Sequence, residues 1–245
     1  MSTPSLDSIP DGCTCPGVHR AVIEYLLESE NQSAGKKILD IPCGSGVLIS
    51  SLRRFFPNAV LKGCDLKNPA SLSGQDFETV DASRPFMVFD GKPFDYVISV
   101  SGVMEFDNTL RFFESCREHL RPDGRLIVTN DNISAIRDRL LYLMLGKTSR
   151  FPLYPTRDQP TWKAIPISNL IRILEDAGFD ILEIRYLISG PKDWLFLPVA
   201  LLVYPLQLLH RRFNRSGMPC GLRRAMVPFR SLLSRHYMVI CKKQL

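Results

Sequence analysis

The chain of 245 residues has no charged-then-apolar leader at its N-terminus and no uninterrupted run of 18 or more apolar residues. The first absence argues against export. The second makes a spanning helix a second choice, because a span takes roughly 20 such residues. Histidine is scarce, with four in all. The seven cysteines (13, 15, 43, 64, 116, 220, 241) are odd in number and scattered. That favours reduced thiols in the cytoplasm over a disulfide framework. Cys13, Cys15 and His19 lie close in sequence, but zinc wants four ligands, with a two-residue Cys gap or a second cluster. Neither exists here, so no metal is expected.

What is present supports one α/β domain with embellishments: 245 residues, of which 45% are hydrophobic. The net charge of +6 is unevenly placed. From Lys192 onward ten Lys or Arg face one acid, Asp193, giving +9 and leaving −3 for the rest.

The organising stretch is Lys37-Ile38-Leu39-Asp40-Ile41-Pro42-Cys43-Gly44-Ser45-Gly46. It reads as a buried strand running into a tight loop with two glycines, and Val47 to Leu52 then reads as a helix. Glycines at such a corner permit backbone angles that other residues resist and let a ligand lie against the main chain. Strand, glycine turn and helix is how an open α/β sheet builds a ligand site. A phosphate-cradling loop would close on Gly-Lys-Ser/Thr, and no Lys follows Gly46. A dinucleotide fingerprint would put a small residue where Ile49 stands. An acid at the start, Asp40, and no phosphate grip suit a ligand with a cationic centre and an amino-acid end.

Ile38 to Gly46 (ILDIPCGSG) resembles the first motif, L-D-x-G-x-G-x-G, of class I S-adenosylmethionine-dependent methyltransferases. Pro42 replaces the first Gly. It fixes one backbone angle and removes an N–H, stiffening the loop without filling the space left by Gly44 and Gly46. Further matches follow in order. Ala59 to Leu66 is a second strand ending in Asp65, 25 positions after Asp40. A carboxylate there can accept two hydrogen bonds from a ribose diol; the plainer reading is a helix N-cap. Phe77 to Ser83 is a third strand whose Asp81 and Ala82 match the family's adenine contact. Phe94 to Phe106 resembles the fourth motif, FDxVxxxxVLEH, with one extra residue before Val103 and Phe106 where many members carry His. Leu110 to Leu120 reads as a helix, Arg121 to Gly124 as a turn and Arg125 to Asn130 as a fifth strand, resembling the family's L-K-P-G-G turn. These matches span about residues 36–130.

The resemblance implies a Rossmann-like seven-stranded sheet with helices on both faces and the last strand antiparallel. It implies S-adenosylmethionine as cofactor, with Asp40, Pro42, Cys43, Gly44, Gly46, Asp65, Leu66, Asp81, Ala82 and Ser99 as its binding residues. The domain divides into an N-terminal cap (1–35), a core (36–190), an insertion (191–234) and a last strand (235–245). Val18 to Glu30 shows helix spacing, and a leading helix commonly caps the cofactor pocket in this family. Ile133 to Gly146 reads as a basic, apolar helix. A Pro-rich loop from Phe151 to Pro166 follows, and loops over strand ends usually face substrate. Ser168 should cap the next helix, Leu170 to Ala177, ended by Gly178. Asp180 to Ile188 and His236 to Cys241 read as the last two strands.

Between them, Trp194 to Leu209 is almost wholly apolar over 16 residues with two prolines, and Arg211, Arg212, Arg215, Arg223, Arg224, Arg230 and Arg235 follow. Apolar surface beside arginines suits a segment lying in an anionic membrane interface, over about 194–230. A buried hairpin, a lid or a dimer arm are the alternatives. A groove for nucleic acid would interleave aromatics, and this run does not.

Methyl transfer from a sulfonium asks chiefly for orientation in a closed pocket; a hydroxyl acceptor also needs a base. Glu105 is the best-placed candidate, although it also reads as an acid at a helix start. Asn130, Asp131 and Asn132 sit where substrate would pass, and Tyr154 and Trp162 lie in the loop above. The first expectation is a methyltransferase peripheral on the cytoplasmic face of a membrane, acting on a lipid or lipid-linked acceptor such as a polyprenyl quinone precursor or a lipid-carried glycan. The alternatives are a soluble small-molecule O- or N-methyltransferase and a cofactor-binding partner protein without turnover.

Overall fold

A computed structural model describes residues 5–30, 35–68, 72–156, 161, 163–187, 190–213 and 217–244. Its centre is one seven-stranded sheet. In chain order the strands are β1 (Lys37–Asp40), β2 (Val60–Asp65), β3 (Phe77–Thr79), β4 (Phe94–Val100), β5 (Leu120–Asp131), β6 (Phe179–Leu187) and β7 (His236–Lys243), and they lie side by side as β3-β2-β1-β4-β5-β7-β6. β1 pairs in parallel with both β2 and β4, while β7 runs antiparallel between β5 and β6. The sheet and its antiparallel last strand match the expectation.

Alternation along the strands sorts the side chains into two cores. Leu39, Val97, Tyr237, Val239 and Cys241 face one way and pack on α3 (Thr109–Glu118) and α5 (Ile167–Asp176) through Phe112, Phe113, Leu170 and Leu174. Ile38, Tyr96, Ile98, Met238 and Ile240 face the other and pack on α1 (Val18–Ser29) and α2 (Val47–Phe55) through Val22, Leu26, Leu48 and Leu52. Each large aliphatic so buried contributes about 1.5–3 kcal/mol, which fixes the sheet and therefore the positions of its strand ends.

Three local expectations shift. The cap of α5 is Pro166, whose extended backbone precedes Ile167, and not Ser168. α3 starts on Asn108, whose side chain accepts from the Arg111 N–H at 3.1 Å. The turn expected at Arg121–Gly124 falls within β5: Leu120 pairs with Phe94 and Arg125 with Tyr96, so the residues between form an irregularity rather than a separate loop.

The insertion between β6 and β7 is helical. A 3-10 segment, Pro191–Phe196, runs straight into α6 (Leu197–Phe213), and α7 (Cys220–Met226) follows. The combined 23 residues, Pro191–Phe213, exceed the expected 16 and are long and apolar enough to cross a membrane. Pro198 lies in the first turn of α6 and Pro205 inside it. One face of α6, with Ala200, Val203 and Tyr204, packs on Ile136 and Leu140 of α4 (Ile136–Leu145) and on Phe229 and Leu232. The other face, with Leu202, Leu206, Leu209 and Phe213, is exposed.

Candidate functional site

The chain reverses its strand order between β1 and β4, and open α/β sheets place ligands beyond the strand ends at such a point. A cavity lies there. On its β1 side the loop after Asp40 folds tightly: Cys43 N donates to Cys64 O at 2.9 Å, and Gly46 N to Cys43 O at 2.9 Å. Gly44 has φ +52° and Gly46 φ +71°, in the left-handed region that favours glycine. A Cβ on Gly44 would meet nothing within 4 Å, so this backbone borders open space.

Four acids line the cavity: Asp40, Asp65, Asp81 and, on the β4 side, Glu105. Asp40 is buried, and its Oδ1 has no hydrogen-bond partner among the described residues. Burial, reinforced by Asp65, pushes its carboxyl well above the ordinary range. An orphaned buried carboxylate oxygen of this kind fits a ligand cation. Asp65, at the end of β2, accepts from Gly44 N at 2.8 Å and Leu66 N at 2.7 Å. Asp81 accepts from Ser83 N at 3.0 Å and pairs with Arg84 at 3.3 Å.

The β4 side carries Ser101, Gly102, Glu105 and Phe106, with Cys13, Thr14 and His19 from the N-terminal segment and Arg150. Burial pushes the Glu105 carboxyl up; Arg150 opposes this and Asp65 adds to it. Ser101 is held at φ +58°, and its Oγ lies 2.6 Å from Thr14 Oγ1 and 3.3 Å from His236 Nε2. His236 Nδ1 is 3.0 Å from Asp131 Oδ1, which also accepts from the Cys15 thiol at 3.6 Å. Burial first, then Asp131, push that thiol up to about 12, so it stays protonated and donates. Cys15, Asp131 and His236 thus hold their polar atoms within 4.8 Å of one another as a hydrogen-bonded group.

Of the residues expected at the site, Asp40, Pro42, Cys43, Gly44, Asp65, Leu66, Asp81, Ala82 and Glu105 line this one cavity. Gly46 instead caps α2. Ser99 is fully buried within β4, below the cavity floor, and Ser101 lines it in its place, because the cavity opens only past the strand end. Asn130 is buried, with Nδ2 donating to Ile165 O at 3.1 Å and Tyr237 OH at 3.0 Å. Asn132 donates to Ser231 O at 2.7 Å and Ser234 O at 2.8 Å. Both asparagines secure the fold and do not line the cavity. Tyr154 is exposed and away from it; Trp162 lies outside the described residues. Sequence reasoning missed Thr14, Ser101, Arg150 and His236. An antiparallel last strand begins where its neighbours end, and that topology is the signal that could have found His236.

Comparison with known proteins agrees with this geometry. A family model described as a methyltransferase domain matches residues 17–184. The ubiquinone biosynthesis O-methyltransferase of Glaesserella parasuis is 23% identical over 175 residues, covering 66% of this chain and 72% of that protein. That of Cupriavidus pinatubonensis is 25% identical over 173 residues, covering 66% and 68%. An S-adenosylmethionine-dependent methyltransferase from Mesorhizobium loti superposes with a TM-score of 0.54 at 13% identity, over 98% of this chain and all of that one. With the sheet order, the glycine corner at the switch point and the orphaned acid beneath it, the match over most of the chain establishes that this protein belongs to the class I methyltransferases and uses S-adenosylmethionine as its cofactor.

Proposed function

We propose that this methyltransferase acts on a hydroxyl of a membrane-borne, polyprenyl-quinone-type acceptor while resting on an anionic membrane surface. One observation carries the reading: α4, which follows β5, and α6, which packs on it, both present bare apolar side chains. Leu143 is 82% exposed and Leu202 76%, and Tyr142, Met144, Leu206 and Phe213 add to them. Large apolar side chains left bare on two neighbouring helices suit an interaction site. Arg211 and Arg212 close α6, and Arg223 and Arg224 lie in α7, so the apolar face is flanked by cations that suit anionic head groups. Because one face of α6 is tied to the domain through Ala200, the helix suits lying in the interface better than crossing it. The names of the bacterial relatives, ubiquinone biosynthesis O-methyltransferases, support an acceptor of quinone type.

Bound S-adenosylmethionine supplies a methyl group on a sulfonium. The chain's own part is to hold and orient. Asp40 suits the ammonium of the amino-acid end, Asp65 the ribose diol, and Asp81 with Ala82 the adenine; Leu66, Pro42, Cys43 and Gly44 border the same space. Glu105 and Phe106 wall the acceptor side, where Glu105 can accept a hydrogen bond from the acceptor hydroxyl.

The test is co-sedimentation with vesicles of anionic and of neutral lipid. Leu202→Glu with Leu206→Glu alters only exposed positions of α6. Binding to anionic vesicles that this double variant loses supports the reading. No binding by the parent chain moves the acceptor search to soluble metabolites, and a concentration-dependent dimer lost in the double variant would recast the face as a subunit contact.

A further inference from the structure

We propose that Ser101 takes the proton from the acceptor hydroxyl and passes its own to His236, which Asp131 holds in place; this rests on the reading of the acceptor as a hydroxyl compound. The cavity spans the ends of β2, β1 and β4, with Asp65 on one flank of the glycine loop and Ser101 on the other. With Asp65 suited to the ribose, the Ser101 flank is left for the reacting centre. The fourth-strand motif has lost its usual imidazole, since Phe106 occupies that place. His236 brings an imidazole back from the far end of the chain, behind Ser101 instead of in front of it.

Hydrogen-bond directions make the chain of groups work. Asp131 is a carboxylate and only accepts, so His236 donates to it from Nδ1–H at 3.0 Å. That tautomer leaves Nε2 with a lone pair aimed at Ser101 Oγ, 3.3 Å away. The Ser101 hydroxyl donates to Nε2, and Oγ keeps two lone pairs. Thr14 Oγ1 uses one at 2.6 Å, and the acceptor hydroxyl can use the other. When the acceptor O–H bond breaks, its electron pair stays on the acceptor oxygen as the nucleophile. Its proton joins Ser101 Oγ as the Ser101 proton moves to Nε2, leaving an imidazolium against Asp131. The proton returns to solvent by the same hydroxyl once product has left. Ser101 is the group that touches substrate; His236 and Asp131 are positioning residues behind it. The left-handed backbone of Ser101, φ +58°, is uncommon for a residue with a side chain and marks a hydroxyl held for use.

The test reads proton removal without methyl transfer. 4-Nitrocatechol changes its visible absorbance on ionising. It is mixed with the protein and S-adenosylhomocysteine at a pH where the free probe is un-ionised. The parent chain should bind the probe as its anion. His236→Gln should bind it with similar affinity but leave it un-ionised, as should Ser101→Gly, a substitution the left-handed backbone favours and which therefore protects folding. Unchanged S-adenosylhomocysteine affinity in His236→Gln certifies its fold. Ionisation that persists in both variants and disappears in Glu105→Gln would overturn the relay and make Glu105 the base. Failure of the parent chain to bind the probe would instead sink the phenolic acceptor, and the relay with it.

Discussion

The ring of Pro42 occupies the space that a side chain on Gly102 would need: a Cβ there would come within 2.5 Å of the ring's Cγ and Cδ. The two residues close the floor of the cavity from β1 and β4, and each sets the size of the other. The proline that breaks the family's glycine pattern is therefore matched by a glycine on the neighbouring strand end. A pyrrolidine ring cannot swing aside as a long side chain would, so Gly102→Ala should overpack the site. The expected cost is about 1–3 kcal/mol, read from denaturant unfolding. Full stability in Gly102→Ala would mean that the loop is looser than this contact implies.

The proposed role of Asp40 at the cofactor ammonium would couple cofactor binding to stability. Its folded pKa is raised, by burial first and by Asp65 second. The native state then holds a proton that the unfolded state has released, so stability falls as pH rises from the ordinary carboxyl range to the raised folded value. Asp40→Asn should flatten that slope in the ligand-free protein. On the proposed assignment the same change removes the charge offered to the cofactor ammonium, and a charge-assisted hydrogen bond is worth about 1.5–3 kcal/mol. S-adenosylmethionine affinity should drop roughly ten- to a hundredfold by calorimetry. Unaltered affinity would take Asp40 out of the site.

Asp131 behaves in the opposite sense. Burial pushes its carboxyl up, but the hydrogen bond and charge of His236 outweigh it, with help from Arg150 and the Cys15 thiol, and hold it below the ordinary value. Such a group adds stability above the unfolded pKa, about 3.9, and loses it as pH falls through the lower folded value. Asp131→Asn should lower stability at neutral pH by about 1–3 kcal/mol and make the acid limb shallower. A parallel downward shift at every pH would assign the loss to packing alone.

The sheet and the side of the cavity built on β1 and β2 were legible because both are written locally. A run such as Ile38-Leu39-Asp40 followed by two glycines carries its strand, its turn and its acid within ten residues. Asp65 ends β2 in the same way, and Asp81 follows β3 by two residues. The β4 side was not legible, because it is assembled by topology: Ser101 is met by His236 from 135 positions away and by Thr14 from 87. Only the antiparallel entry of β7 brings His236 to the strand ends. Asn130 and Asn132 read as substrate contacts from their strand-end positions, whereas in the structure their amides donate to buried carbonyls.

Asn132 makes that last point measurable. Its amide donates to two carbonyls of the segment before β7, and its carbonyl accepts from Ser134 N at 3.1 Å. Asn132→Ala leaves those buried carbonyls short of a donor, at about 1–3 kcal/mol. The melting temperature should fall while cofactor affinity stays within twofold. A normal melting point with lost acceptor turnover would return Asn132 to the substrate path.

The N-terminal segment supplies a probe of the cavity mouth. Cys13 and Cys220 are exposed, whereas Cys43, Cys64, Cys116 and Cys241 are buried, and burial also raises the thiols of these four. Reactivity follows thiolate fraction and access, so iodoacetamide should modify Cys13 and Cys220 first, and mass spectrometry can follow each separately. Cys13 lines the cavity and Cys220 lies in α7, outside it. S-adenosylhomocysteine should therefore slow modification of Cys13 several-fold and leave Cys220 unchanged. Cys15, two residues on, should resist in both states, because its thiol is pushed up to about 12 and is engaged with Asp131. Equal protection of Cys13 and Cys220 would indicate general tightening of the chain. No protection of Cys13 would mean that the segment before α1 does not close over bound cofactor, and Thr14 would then lose its place beside Ser101.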